Sequence, residues 1–285
     1  MKILVTGASG NVGTSVVKEL LKIGEEVVVA TTNIERTKKI FGSQVTYTLF
    51  DFTDKRTFDG SLIGVDRVFL MRPPHLGKPE DLYPFIDYMK KHNIKLVAFL
   101  SLMGIEKNTI PPHAKIEKYI EKSSIPYTFI RPGFFMQNIS GIHAVEIREN
   151  NEIFVPVGKS KTSFIDTLDI GVATAVLFNK YKKYENTSHT ITGIESLDYY
   201  EVASILSKVT KRKITYANPS FLRYRNHYIK NRGLDKAYVN VTVALYFMTR
   251  MGTAKDVTKD FYSLTGKEPR TFEEFAKKNI DCFMS

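Results

Sequence analysis

The sequence predicts an α/β fold: a Rossmann-type, doubly wound parallel sheet carrying a smaller, mostly helical C-terminal lobe. Three observations predict it. Short apolar runs alternate with amphipathic stretches up to residue 131. A glycine loop, Thr6-Gly7-Ala8-Ser9-Gly10-Asn11-Val12-Gly13, directly follows the first run and opens the first amphipathic stretch. Beyond residue 194 the periodicity is mainly helical. Strand–helix alternation of this kind closes through right-handed crossovers into a sheet covered on both faces.

Residues 2–6, 26–31, 45–50, 66–71, 95–101 and 127–131 are rich in Val, Ile, Leu, Phe and Tyr and read as doubly buried strands. Between them, Val16, Val17, Leu20 and Leu21 repeat at helical spacing, with Gly24 at the expected stop. Leu82, Phe85, Ile86 and Met89 make a second apolar stripe, followed by Asn93. Ile116, Tyr119 and Ile120 predict a third helix from about Pro112 to Ser124. The pattern then loosens, with strands expected over 153–157 and 188–192 and a helix over 169–178. In Phe164-Ile165-Asp166-Thr167-Leu168-Asp169, the two aspartates read as caps for that helix. Further helices are expected over 199–210, 234–251 and 272–283. Residues 1–133 thus form the Rossmann body, to which 162–193 return; 134–161 and 194–285 form the lobe.

The loop explains its own residues. Thr6 ends the strand and Gly7 permits the tight turn. Gly10 lets the backbone approach a pyrophosphate, and Gly13 lets the helix pack close to the strand. Ser9, Asn11 and Val12 complete a Gly-x-x-Gly-x-x-Gly spacing that implies a nicotinamide dinucleotide. An acid at the end of the second strand would favour NAD(H). Here Thr31-Thr32-Asn33-Ile34-Glu35-Arg36 has none at the strand end. NADP(H) is therefore expected in preference to NAD(H), with Thr32, Asn33 and Arg36 as 2′-phosphate contacts.

Composition narrows the class. Of 285 residues, 43% are hydrophobic and 25% charged, the balance of a folded chain rather than a disordered one. No apolar run approaches the ~20 residues of a membrane-spanning helix, and the N-terminus reads as a strand rather than a secretory segment. Cys282 is the only cysteine, which excludes an internal disulfide and a thiolate zinc cluster. His75, His92, His143, His189 and His227 lack metal-ligand spacing, so no metal is expected. The reducing cytoplasm is the default location.

The net charge is +11, and residues 206–285 hold 16 Lys/Arg against 7 Asp/Glu. From Lys208 to Arg232 there are eight basic residues and no acid, with Tyr216, Phe221, Tyr224 and Tyr228 interleaved. Without a nucleic-acid motif this reads as a solvated basic face rather than a nucleic-acid site. It also leaves open a protein partner.

Several motifs are similar to the short-chain dehydrogenase/reductase superfamily. They are the glycine loop, Asp51-Phe52, Leu70-Met71-Arg72-Pro73-Pro74 and Arg131-Pro132-Gly133-Phe134-Phe135-Met136-Gln137-Asn138. With Leu264-Thr265-Gly266-Lys267-Glu268-Pro269-Arg270-Thr271-Phe272-Glu273-Glu274-Phe275 they resemble its atypical NmrA-like branch of quinone reductases, triphenylmethane-dye reductases and redox-sensing regulators. The resemblance implies that Asp51 and Phe52 lie by the adenine and that Met71 and Arg72 lie by the ribose–phosphate. It places Ser101 on the nicotinamide side, with Lys115 as the catalytic lysine holding the nicotinamide ribose.

The active reductases of that superfamily carry Tyr-x-x-x-Lys, whereas four residues before Lys115 this chain has Pro111. Hydride addition to a ketone needs a proton donor. A quinone or cationic dye gives a stabilised product and needs orientation more than acid catalysis. The expected function is an NAD(P)H-dependent reductase of such a small-molecule acceptor. His113 is a possible proton source, and Phe134, Phe135 and Met136 a possible apolar acceptor wall. The competing expectations are a non-catalytic NAD(P) redox sensor with a protein partner on its basic region, and a nucleotide-sugar epimerase-like protein.

Overall fold

The computed structural model describes residues 2–284. In chain order the strands are β1 (Lys2–Val5), β2 (Glu26–Thr31), β3 (Thr46–Leu49), β4 (Val65–Met71), β5 (Leu96–Leu100), β6 (Tyr127–Pro132), β7 (Phe134–Phe135), β8 (Glu152–Ile153), β9 (Thr162–Ile165), β10 (Thr187–Ile191), β11 (Ser196–Leu197) and β12 (Thr215–Tyr216). The helices are α1 (Asn11–Lys22), α2 (Ile34–Phe41), α3 (Phe58–Leu62), α4 (Tyr83–Lys91), α5 (Pro112–Ser123), α6 (Gln137–Ser140), α7 (Ala144–Asn150), α8 (Thr167–Asn179), α9 (Tyr199–Thr210), α10 (Phe221–Asn226), α11 (Lys236–Arg250), α12 (Asp260–Thr265) and α13 (Phe272–Lys278). They form two compact units, one of Met1–Pro132, Thr167–Ile191 and Asp260–Lys267, the other of Gly133–Asp166, Thr192–Lys259 and Glu268–Ser285.

The first unit is a seven-stranded sheet in the order β10-β6-β5-β4-β1-β2-β3, parallel throughout. The chain starts in the middle at β1, winds outward to β3, and resumes on the other side of β1 with β4. The strand order therefore reverses between β1 and β4, and a doubly wound sheet opens its ligand crevice at the carboxyl ends of such a pair. Ile3, Leu4, Val5, Val68, Phe69, Leu70, Val97, Ala98 and Phe99 are fully buried, which explains why these strands read as continuous apolar runs.

Helix α8 is buried nearly all round and packs on α1. Gly171 permits that approach, because a Cβ there would stand 2.8 Å from the Ser15 backbone. Helix α12 packs on α8 and β10, and Asp260 accepts a 2.7 Å hydrogen bond from the Thr190 amide. Residues 260–267, expected in the lobe, thus belong with the sheet. Arg67 on β4 is 1% exposed. It donates to both Glu25 oxygens at 3.0 and 2.7 Å and to the Phe178 carbonyl at 2.7 Å.

In the second unit, β9 pairs with β7 in parallel and with β11 antiparallel, and β8 pairs with β12. Its core gathers Phe164, Tyr199, Val202, Leu206, Tyr224, Tyr228, Phe272 and Phe275. The strand expected over 153–157 shortens to β8. Val155 and Val157 are still buried, but Pro156 has no N–H to give a ladder. The helix expected over 272–283 ends at Lys278 and is followed by a 3-10 turn, Ile280–Cys282. Helix α8 starts at Thr167, two residues before the expected start, leaving Asp166 just ahead of it. Asp166 accepts from Gln137 Nε2 at 2.7 Å.

Candidate functional site

The glycine loop joins β1 to α1 at the switch point. Gly7 has φ +62°, and a Cβ on it would stand 2.0 Å from Met71 Cε. A Cβ on Gly13 would meet the Gly7 carbonyl oxygen at 2.2 Å and Ala8 Cα at 2.7 Å. Gly10 differs, since its nearest neighbour would be that oxygen at an ordinary 3.4 Å. Packing against backbone thus requires glycine at position 13, the positive φ favours it at 7, and neither demands it at 10. Thr6 Oγ1 donates to the Phe69 carbonyl at 3.0 Å and accepts from the Met71 amide at 2.9 Å, tying β1 to β4 beneath the loop.

Helix α1 begins after Gly10 with no side-chain cap and no acid in its first turn. Ser9, Gly10 and Asn11 are exposed, while Val12 is buried. The free amides of the first turn and the positive end of the helix dipole make this end a receiver of negative charge.

At the end of β2, Asn33 caps α2, its Oδ1 accepting from the Arg36 amide at 2.9 Å. Thr32, Asn33 and Arg36 are exposed on one turn, and the charge of Glu35 is matched by Lys38 at 2.9 Å. After β3, Asp51 Oδ1 accepts from the Thr53 amide and hydroxyl at 2.8 and 2.7 Å. Phe52 stands edge-on to Phe50 with ring centroids 4.7 Å apart.

Three side chains of this unit, directly after β4, directly after β5 and on α5, share one property. Arg72 Nε, Ser101 Oγ and His113 Nδ1 are buried with no hydrogen-bond partner among the described residues. So are the Asp66 carboxylate and Arg67 Nε near the amino end of β4. Arg72 spends its Nη1 on the Pro73 and Leu76 carbonyls. His113 stacks on Phe99, with centroids 5.9 Å apart. Burial, helped by the Arg72 charge, lowers its pKa to about 3, so the ring is neutral at physiological pH.

Helix α5 is clamped to β6 by Arg131, which donates to Glu117 at 3.0 and 2.6 Å. Two residues subtend about 200° of helix, so Lys115 lies on the opposite face and is exposed. Sequence reasoning missed this clamp. Its only signal was an arginine inside an otherwise apolar strand.

In the second unit, Phe134 and Phe135 on β7 are half-buried, and Phe134 stacks on Tyr246 at 6.1 Å. Met136, 2% exposed, lies in the core with Ile139 and Phe164. Packing claims its side chain, which corrects the expectation that it lines an open wall.

The basic run is structural only in part, for Lys208, Lys211, Lys213, Arg223 and Lys230 are exposed. Tyr216, Tyr224 and Tyr228 are buried. Arg212 donates to the Phe283 and Arg148 carbonyls, Arg232 pairs with Glu146, and Lys208 pairs with Glu273. Among the described residues no helix is long and apolar enough to cross a membrane, and no cluster of His, Cys, Asp and Glu is placed to hold a metal ion.

Comparison with known proteins agrees with this geometry. The sequence pattern of the NmrA-like family matches residues 1–276. The chain is 33% identical over 284 residues to prestalk A differentiation protein A of Dictyostelium discoideum, covering 98% of this chain and 93% of that one. It is 27% identical to an NAD(P)H azoreductase of Xenophilus azovorans, covering 99% of each. It superimposes on the NADPH-dependent quinone oxidoreductase of Escherichia coli complexed with NADPH, with a TM-score of 0.86 at 22% identity over 98% of this chain and 99% of that one.

Proposed function

The chain belongs to the NmrA-like family, and on that premise we propose that it is an NADPH-dependent reductase of a quinone-like or dye-like acceptor. The observation that carries the reading is the trio of buried, unpartnered polar atoms, Arg72 Nε, Ser101 Oγ and His113 Nδ1. Leaving such a group unpaired costs about 1–3 kcal/mol. Two of the three follow β4 and β5 at their carboxyl ends, where a polar ligand of a doubly wound sheet arrives. The residues present fit a dinucleotide.

The amides of the glycine loop and of the first turn of α1 receive the pyrophosphate. Thr32, Asn33 and Arg36 take the 2′-phosphate, Asn33 through its amide nitrogen because its oxygen caps α2. Asp51 and Phe52 serve the adenine, Met71 and Arg72 the ribose–phosphate, Ser101 the nicotinamide side, and Lys115 the nicotinamide ribose. Phe134 and Phe135 are the residues assigned to the acceptor. When bound, the nicotinamide supplies a hydride.

Pro111 stands where the superfamily's tyrosine acid would be, and a neutral His113 has no imidazolium proton to give. Positioning therefore carries the rate, which suits acceptors whose reduced form needs no proton in the transition state. The NAD(P)H azoreductase that the chain resembles supports the reductase half of this reading.

The test is NADPH and NADH oxidation against a panel of quinones, azo dyes and triphenylmethane dyes. Turnover with NADPH preferred, and that preference reduced in Arg36→Gln, is the expected result. Tight NADPH binding with no panel member turned over faster than by Lys115→Ala would overturn it.

A further inference from the structure

The second unit has a polar cleft of about 570 Å³, within the size range of small-molecule sites. Phe154 forms part of its wall, flanked by Arg223, whose guanidinium lies 5.5 Å from the ring centroid, and by His227 at 4.8 Å. Glu146 and Glu152 supply two carboxylates.

These charges are not equivalent. Glu146 is buried and fully engaged. It accepts from His227 Nε2 at 2.9 Å, from the Tyr228 hydroxyl at 3.2 Å and from Arg232. Burial pushes its carboxyl up, but the hydrogen bonds from His227 and Arg232 outweigh burial and hold it below the usual carboxylate range. Its charge is therefore spent. The bond to Glu146 also orients the His227 ring, Nε2 towards the carboxylate.

Glu152 and Arg223 are different. Neither the carboxylate nor the guanidinium has an ion-pair or hydrogen-bond partner among the described residues; Glu152 is half-buried and Arg223 exposed, so water hydrates both in the free protein, and both line the same cleft. A simple cation or anion would answer one charge and leave the other. A molecule carrying both signs answers both.

The backbone singles out the same place. His227–Asn231 form a π-helical turn, a rare and locally costly geometry that recurs at functional sites. Both of its end residues, His227 and Asn231, line the cleft.

We propose that this cleft binds a small zwitterion, an α-amino acid or short peptide, with Glu152 receiving the ammonium and Arg223 the carboxylate. The site lies wholly within the second unit and does not rest on the reductase reading.

Isothermal titration of the full chain, without cofactor, tests it with glycine, L-phenylalanine, L-lysine and glycyl-phenylalanine. Each is compared with its N-acetylated and its C-amidated form. At least one unblocked probe is expected to bind saturably. N-acetylation or Glu152→Gln should weaken it at least tenfold, as should C-amidation or Arg223→Gln. In Glu152→Gln, N-acetylation should then change little. The proposal is overturned if no unblocked probe binds saturably, if blocked forms bind as tightly as unblocked ones, or if both variants bind like the parent chain. The blocked probes test the unaltered protein, so the outcome stands even if a variant folds poorly.

Discussion

Gly13 faces the Gly7 carbonyl so closely that a Cβ on it would stand 2.2 Å from the oxygen. The neighbour is backbone and cannot swing aside. Gly13→Ala is therefore expected to lower the melting temperature and weaken NADPH binding at least tenfold. Gly10→Ala meets only ordinary contacts and should change stability by less than about 0.5 kcal/mol, yet still weaken NADPH binding. Calorimetry with a fluorescence titration of NADPH separates the two. Unimpaired binding by Gly10→Ala would remove the close approach of a pyrophosphate to that backbone.

Ser101 gives a prediction of opposite signs. Its hydroxyl is buried and unpartnered in the free protein, so Ser101→Ala should leave that protein as stable or stabilise it by about 1 kcal/mol. If the hydroxyl meets the cofactor, the same change should weaken NADPH binding several-fold. A loss of stability with unchanged affinity would make Ser101 a structural residue.

The second unit carries a pH signature. The buried His143 accepts from the Tyr246 hydroxyl at Nε2, 2.5 Å away, and donates from Nδ1 to Tyr228, 2.7 Å away, whose own proton goes to Glu146. Burial lowers the His143 pKa to about 4, whereas an unfolded imidazole protonates near 6.5. As pH falls the unfolded chain takes up that proton first. Stability is full above about pH 6.5 and declines towards pH 4, by up to about 3 kcal/mol from this residue. His113 acts in the same direction. Glu146, whose carboxyl is held down, withdraws stability only below the usual carboxylate pKa of 4.5. Urea unfolding between pH 7 and 5 should show the slope, and His143→Gln should flatten it. An unchanged slope in that variant would remove His143 as its source.

Arg67 is the most buried charge in the sheet. Arg67→Ala would strip Glu25 of its bidentate partner and the Phe178 carbonyl of its donor. Breaking a buried pair from one side costs about 3–5 kcal/mol. Replacing both partners, as Arg67→Met with Glu25→Gln, should recover much of that loss. A cost under about 1 kcal/mol for Arg67→Ala in urea titrations would show the pair to be solvated.

Strands with covered faces betray themselves by composition, and so β1, β2, β4, β5 and β6 were legible to within a residue or two; the edge strand β3, which has no buried residue, was legible from its Thr and Tyr content. The caps were legible where a side chain does the work, as Asn33 does for α2. Less was legible beyond residue 131. Strand β7 has two residues and β9 four, and their buried faces are covered by residues far along the chain. The π turn at His227–Asn231 left no periodic trace. Met136 reads identically whether it lines a wall or fills a core.

The sequence by itself determined the parallel sheet and the glycine loop, because both rest on local rules: apolar runs of strand length, a left-handed turn that favours glycine at Gly7, and a backbone contact that leaves no room for a Cβ at Gly13. The Glu117–Arg131 clamp, the orphaned atoms of Arg72, Ser101 and His113, and the placing of the opposite charges of Glu152 and Arg223 on one cleft were decided only by the tertiary structure. Whether a polar atom is paired depends on which distant segment packs against it and whether water still reaches it, and neither is written in the residue's own neighbourhood.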